Sequence, residues 1–100
     1  MPNGQHVHGI SGETSYDYGH LHRYYGYTGP AVSRGMTHIH RIMVSTTVEQ
    51  EHSHLIEVET GPAIPTPDGH VHQFSGNTSV SGIPPHSHYF RNFTGTPVPV

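Results

Sequence analysis

Read at every second residue, the chain repeats one short phrase six times. The segments 6–14, 20–28, 38–46, 52–60, 70–78 and 86–94 each carry His, His, a large side chain, a variable residue and Thr at alternate positions. The third of these positions is Ile10, Tyr24, Ile42, Ile56, Phe74 or Phe90, apolar or aromatic in every case. Alternate residues of an extended chain share a face, so the pattern predicts six β-strands whose histidine-bearing face is also the inward face. The opposite face of the first segment (Val7, Gly9, Ser11, Glu13) is more polar. Leu21, Tyr25 and Tyr27 in the second and Ile39 and Met43 in the third break that rule. Both faces are therefore expected to be partly covered, as in a sandwich layer or a subunit contact.

The segments fall into three tandem units. The pairs beginning at His6, His38 and His70 are 32 residues apart, and those beginning at His20, His52 and His86 are 32 and then 34 apart, with the surplus at Gly82-Ile83-Pro84-Pro85. Thr14-Ser15, Thr46-Thr47 and Thr78-Ser79 fall into register, as do Thr28-Gly29-Pro30, Thr60-Gly61-Pro62 and Thr94-Gly95-Thr96. The chain thus reads as a single domain, 1–100, of three repeats of about 32 residues (6–37, 38–69 and 70–100). A nine-residue strand spans about 30 Å, whereas a five-residue link such as 15–19 or 47–51 reaches at most ~18 Å, so the short links predict hairpins rather than a parallel solenoid. Turn residues agree: Asn3-Gly4, Asp17-Tyr18-Gly19 and Pro67-Asp68-Gly69 stand ahead of histidine pairs. The expected fold is all-β, three repeated hairpins forming a small antiparallel sandwich or open barrel; 12 Gly and 9 Pro argue against helix.

Composition removes several classes of function. Hydrophobic residues are 31% of the chain, a lean core that usually needs a metal, a disulfide or a partner subunit. With no cysteine, disulfides, thiolate zinc sites and a Cys nucleophile are excluded. Arg23, Arg34, Arg41 and Arg91 are the only basic residues beside histidine, and the formal charge is −3; nucleic acid is therefore not an expected partner. No segment approaches the ~20 apolar residues of a membrane span, and Met1-Pro2-Asn3-Gly4-Gln5 does not read as a signal peptide. Location stays open, an extracellular or cell-surface fibre included.

What remains is histidine. All 12 occur in His-x-His pairs: His6/His8, His20/His22, His38/His40, His52/His54, His70/His72 and His86/His88. Two imidazoles on one strand face form a chelating pair, and neutral imidazole is a common ligand of Zn²⁺, Cu²⁺ and Ni²⁺. A four-coordinate site needs a second pair. In a hairpin the two pairs lie at opposite ends, so the odd pairs (6/8, 38/40, 70/72) are expected to gather at one end and the even pairs (20/22, 52/54, 86/88) at the other, unless ligands are shared across a subunit interface. Glu13, Asp17, Glu49, Glu51 and Asp68, near the turns, are candidates to complete coordination. The competing account is metal-free packing, with each imidazole hydrogen-bonded to the aligned Thr hydroxyls and to backbone carbonyls. An enzyme is not expected, because one motif is spread evenly and no nucleophile elbow, phosphate loop or His-Glu-x-x-His appears.

The phrases Gly69-His70-Val71-His72-Gln73-Phe74-Ser75-Gly76-Asn77-Thr78-Ser79 and Thr60-Gly61-Pro62-Ala63-Ile64-Pro65 resemble the bacterial YmaF family of histidine-rich repeat proteins over nearly the whole chain. The resemblance implies the repeat and no particular activity. The middle unit departs from the pattern, with Val44 and Val58 in place of a small residue and Thr46-Thr47 in place of Thr-Ser. Lysine-free strands leave the sheet edges open to pairing, and the tail 94–100, extended by Pro97 and Pro99, suits a groove in the next subunit. The sequence therefore predicts a structural, self-assembling β-repeat protein, an oligomer or filament, whose histidines bind a divalent transition metal, Zn or Cu. A monomeric metal-binding module and a metal-free structural repeat are the alternatives.

Overall fold

A computed structural model of the chain describes residues 5–100. Among these, every regular element is a strand: β1 (His6–Glu13), β2 (Arg23–Tyr27), β3 (Val32–Arg34), β4 (Thr37–Ile39), β5 (Arg41–Ser45), β6 (Leu55–Glu59), β7 (Ile64–Thr66), β8 (Gly69–Val71), β9 (Gln73–Asn77), β10 (Tyr89–Phe93) and β11 (Pro97–Pro99). All pairing is antiparallel, so the class read from the sequence is the class observed. Three principal hairpins, β1–β2, β5–β6 and β9–β10, stand for the three repeats.

The hairpins share one long axis in a body of 47 × 21 × 21 Å. They do not close a barrel. Neighbouring hairpins join at their ends: Gly29 N–H donates to Arg41 O, Gly61 N–H to Gln73 O and Gly95 N–H to Gly9 O at one end, each at 2.8–2.9 Å. At the other end Ser15 N–H donates to Tyr89 O, Thr47 N–H to Arg23 O and Ser79 N–H to Leu55 O. Each end is thus a ring of three links, made by the aligned Thr-Gly phrases at one end and by Thr14-Ser15, Thr46-Thr47 and Thr78-Ser79 at the other.

The middle of the body is the apolar core: Ile10, Tyr24, Ile42, Ile56, Phe74 and Phe90, packed with Val44 and Val58. The strand register explains why the middle repeat differs. Tyr24 faces Gly12 and Phe90 faces Gly76 across their hairpins, whereas in the middle one Ile42 faces Val58 and Ile56 faces Val44. A Cβ on Gly26 or Gly76 would meet Val44 Cγ1 or Val58 Cγ1 at 3.1 Å. Bulk in the middle repeat therefore occupies the space that glycines leave beside the aromatic ones, and a close-packed interior conserves total volume.

Two features of the connections differ from the sequence reading. The longer links, 29–37 and 61–69, which lie outside the six strands read from the sequence, take part in small ribbons, β3–β4 and β7–β8, which bring Ser33 opposite His38 and Pro65 opposite His70. A third ribbon is built from both chain ends, β11 against β1, with Pro99 opposite His6 and Val98 opposite Val7. The tail that the sequence offers to a neighbouring subunit is thus paired with β1 of its own chain. Second, the even histidine pairs precede β2, β6 and β10 instead of lying within them. Their backbone is held at single bridges, Asp17 with His20, Glu49 with His52 and Ser81 with His86. Two-residue turns close the first two: Tyr18 and Gly19 have φ of 56° and 81°, Gln50 and Glu51 of 50° and 67°, the left-handed pairs that match strand twist in a tight hairpin. The Asn3-Gly4 turn signal lies outside the described residues.

Candidate metal centre

The two ends of the core are capped by histidine. At one end the imidazoles of His6, His8, His38, His40, His70 and His72 come together, with one ligand nitrogen from each lying within 4.8 Å of all the others. At the other end His20, His22, His52, His54 and His88 do the same, and His86 joins them with its Nε2 3.1 Å from His52 Nε2. Every pair read from the sequence is therefore brought into one of two clusters, odd pairs at one end and even pairs at the other. The same alternation that buries Ile10 buries His8.

Each cluster has an inner and an outer triad. His8, His40 and His72 are the inner odd triad, fully buried, and His22, His54 and His88 are the inner even triad, at most 2% exposed. The inner Nδ1 atoms all meet backbone carbonyls of a neighbouring hairpin: His8 on Gly95, His40 on Gly29, His72 on Gly61, His22 on Thr47, His54 on Ser79 and His88 on Ser15, at 2.7–3.1 Å. A carbonyl only accepts, so Nδ1 carries the hydrogen and the Nε2 lone pair is left pointing inward. In the outer even triad, His20, His52 and His86 donate from Nδ1 to Tyr18 O, Gln50 O and Pro84 O, the turn carbonyls two residues earlier.

The threonines fix this arrangement from behind. Thr28, Thr60 and Thr94 accept the backbone N–H of His8, His40 and His72, and Thr14, Thr46 and Thr78 that of His22, His54 and His88. Each hydroxyl in turn donates to the carbonyl of the next residue, the same oxygen that receives an imidazole Nδ1–H. This differs from the expected Thr-to-imidazole contact, which occurs only as Thr28 Oγ1 to His40 Nδ1 at 3.3 Å among the described residues. Threonine sets the carbonyl, and the carbonyl sets the tautomer.

The far nitrogens have no such partner. Nε2 of His8, His20, His40, His54, His72 and His88 is buried without a hydrogen bond. Elsewhere Nε2 faces Nε2: His6 and His38 each approach His70 at 3.1 Å, and His22 approaches His52 at 3.3 Å. His22, His52 and His86 all carry their hydrogen on Nδ1, so in the neutral state the approaches of His22 and His86 to His52 set lone pair against lone pair; only a second proton on one ring would make them hydrogen bonds. Burial, with neighbouring imidazoles adding to it, opposes that proton. It holds His8, His22, His38, His72 and His88 below the usual histidine value and His40, His54 and His70 down at about 4.

The acidic candidates are not in the clusters. Glu13 pairs with Arg23 at 3.1 Å, Glu49 accepts from Thr47 Oγ1, and Glu51 and Asp68 are exposed. Asp17 lies 3.4 Å from His88 Nδ1, on the side away from the cluster, where a carboxylate raises ligand basicity without ligating. The sequence reading named backbone carbonyls as imidazole partners in its metal-free account without saying which ones; the signal for them was the recurrence of Thr-Gly, and of Thr followed by Ser or Thr, at fixed distance from each pair.

A family model, YmaF, described as "Spore germination protein GerY/YamF", matches residues 19–96. The chain belongs to the YmaF family. Neither the curated proteins nor the solved structures contain a match. The YmaF match takes in five of the six histidine pairs and leaves His6 and His8 outside it, yet His6 and His8 complete the odd cluster on equal terms with the pairs of the other two repeats.

Proposed function

We propose that this YmaF-family chain is a structural β-repeat protein that binds one divalent transition metal ion in each histidine cluster, Zn or Cu being the first candidates from ligand type alone. The observation that carries the reading is the set of six buried Nε2 atoms with no partner. Leaving a buried acceptor unsatisfied costs ~1–3 kcal/mol, so six together are comparable with the ~5–15 kcal/mol by which a domain is stable. One metal ion in each cluster satisfies them, three at each end, and ligating histidines characteristically donate their other N–H to a carbonyl, as these do. The packing account explains one nitrogen of each inner ring and leaves the other unexplained. The family description supports a spore setting.

Self-association is a separate part of the proposal. Tyr25, Tyr27 and Phe93 are 73%, 64% and 54% exposed, and with the tail engaged on β1 such side chains, rather than residues 94–100, are what a second copy would cover. Sedimentation decides this part independently.

Elemental analysis of untagged protein should return two transition-metal ions per chain. Deleting residues 95–100 removes Gly95 O from His8 and β11 from beside His6, while the even cluster draws nothing from that segment. The truncated chain should therefore keep one ion. Metal-free protein that also takes up none on titration would refute the proposal, and two ions retained after truncation would refute the odd-end assignment.

A further inference from the structure

The arrangement of the rings says which coordination each cluster offers. In the odd cluster His6 lies against His8, His38, His40 and His70 at ring-centroid distances of 4.9–5.0 Å, and across from His72. The same holds for each ring: His8 is opposite His38 and His40 is opposite His70, all other rings of the set being neighbours at 4.5–5.1 Å. Four neighbours and one opposite is the relation among the corners of an octahedron. The even cluster repeats it, with His20 opposite His54, His22 opposite His86 and His52 opposite His88 among rings 4.7–5.2 Å apart.

The nitrogen distances have the matching scale. The closest Nε2 atoms are 3.1 Å apart; an octahedron of that edge has its centre about 2.2 Å from each corner, near the ~2.0–2.1 Å of a zinc–imidazole bond. Its opposite corners are about 4.4 Å apart on the same construction, inside the 4.8 Å that bounds the six ligand atoms of the odd cluster.

We infer that each cluster is a six-coordinate, all-imidazole cage for a divalent ion of the Fe²⁺, Co²⁺, Ni²⁺ class, with every coordination position filled by protein. The inference rests on the metal-binding reading above, keeps its one divalent ion per cluster and replaces Zn and Cu as the first candidates. Four-coordinate zinc would satisfy four of the six nitrogens and leave two converging lone pairs. Cu²⁺ favours a tetragonal site, which three equivalent repeats do not supply, and Mn²⁺ favours oxygen ligands. A filled shell has no corner for water or substrate, so the cage suits structural locking or ion storage rather than metal-assisted hydrolysis, which needs an open position.

Cobalt provides the test. The full chain, stripped by chelator and titrated with CoCl₂, should take up two equivalents with the weak visible absorption of six-coordinate Co²⁺, and X-ray absorption should find six nitrogens at a single distance. Intense tetrahedral bands with four nitrogens would overturn the six-coordinate cage while leaving metal binding in place; no uptake would overturn both. His52→Ala opens one corner at the even end only. It should raise the relaxation of bulk water protons by bound Co²⁺ above that of the wild-type chain, and a wild-type chain that already relaxes water strongly would contradict the filled shell.

Discussion

Chelating the metal from the loaded chain should lower its thermal unfolding midpoint by tens of degrees. A ligand present at a thousandfold excess over its dissociation constant stabilises the native state by ~4 kcal/mol per site, provided the unfolded chain does not bind it. For a domain of this size, one kcal/mol moves the midpoint by roughly 4–8 °C, so each cage accounts for roughly 15–30 °C on the same scaling. The structural reason is the leanness of the core. Six buried side chains with Val44 and Val58 form the apolar centre, and the inner layers that cap it at both ends are imidazole, not hydrocarbon. Calorimetry with and without chelator measures the effect; an unchanged midpoint would mean that the histidine layers hold themselves together.

Acid should unfold the metal-free chain. His8, His22, His38, His72 and His88 are held below the ordinary histidine value and His40, His54 and His70 at about 4, in each case chiefly by burial. Because these folded-state values lie below the ~6.5 of the unfolded chain, the unfolded state takes up protons first as pH falls. Stability is therefore complete above ~6.5 and drains away between ~6.5 and about 4. Each unit of lowering is worth ~1.4 kcal/mol, so several displaced groups together are enough to unfold a domain on the way down. Full protonation also carries the formal charge from −3 to +9, since the chain has 12 histidines, and sets like charges in van der Waals contact. Bound metal competes with the same protons and should leave in this window. A midpoint measured on stripped protein from pH 7.5 to 4 should fall monotonically; a flat profile would contradict the burial of neutral imidazoles.

Much of this was legible in the chain because a strand has period two. Once His6, His8, Ile10 and Thr14 are seen to share a face, the inward direction, the core residues and the segregation of odd from even pairs follow from hairpin geometry alone. The β3–β4 and β7–β8 ribbons were not legible, because Val32–Arg34 and Ile64–Thr66 are too short and too exposed to show an alternation. The pairing of β11 with β1 was hidden for a different reason: Pro97 and Pro99 read as an extended tail, but their partner is at the other end of the sequence. The number of ligands per site was likewise out of reach. A His-x-His pair states that two nitrogens point one way; that three pairs converge depends on the end-to-end links made by Gly29, Gly61 and Gly95 at one end and Ser15, Thr47 and Ser79 at the other. The role of threonine was visible as a repeat and misassigned, since a hydroxyl beside an imidazole suggests a side-chain bond when the N–H it receives is the backbone's.

The central claim is that twelve imidazoles converge on two ions. Anomalous diffraction from a crystal of metal-loaded protein, collected on either side of the metal's absorption edge, tests it most directly. The account predicts two peaks per chain on the long axis, one beyond each end of the apolar core, each ringed by Nε2 atoms of three repeats. Absence of both peaks, with the Nε2 atoms bonded to ordered water or to one another, would contradict it.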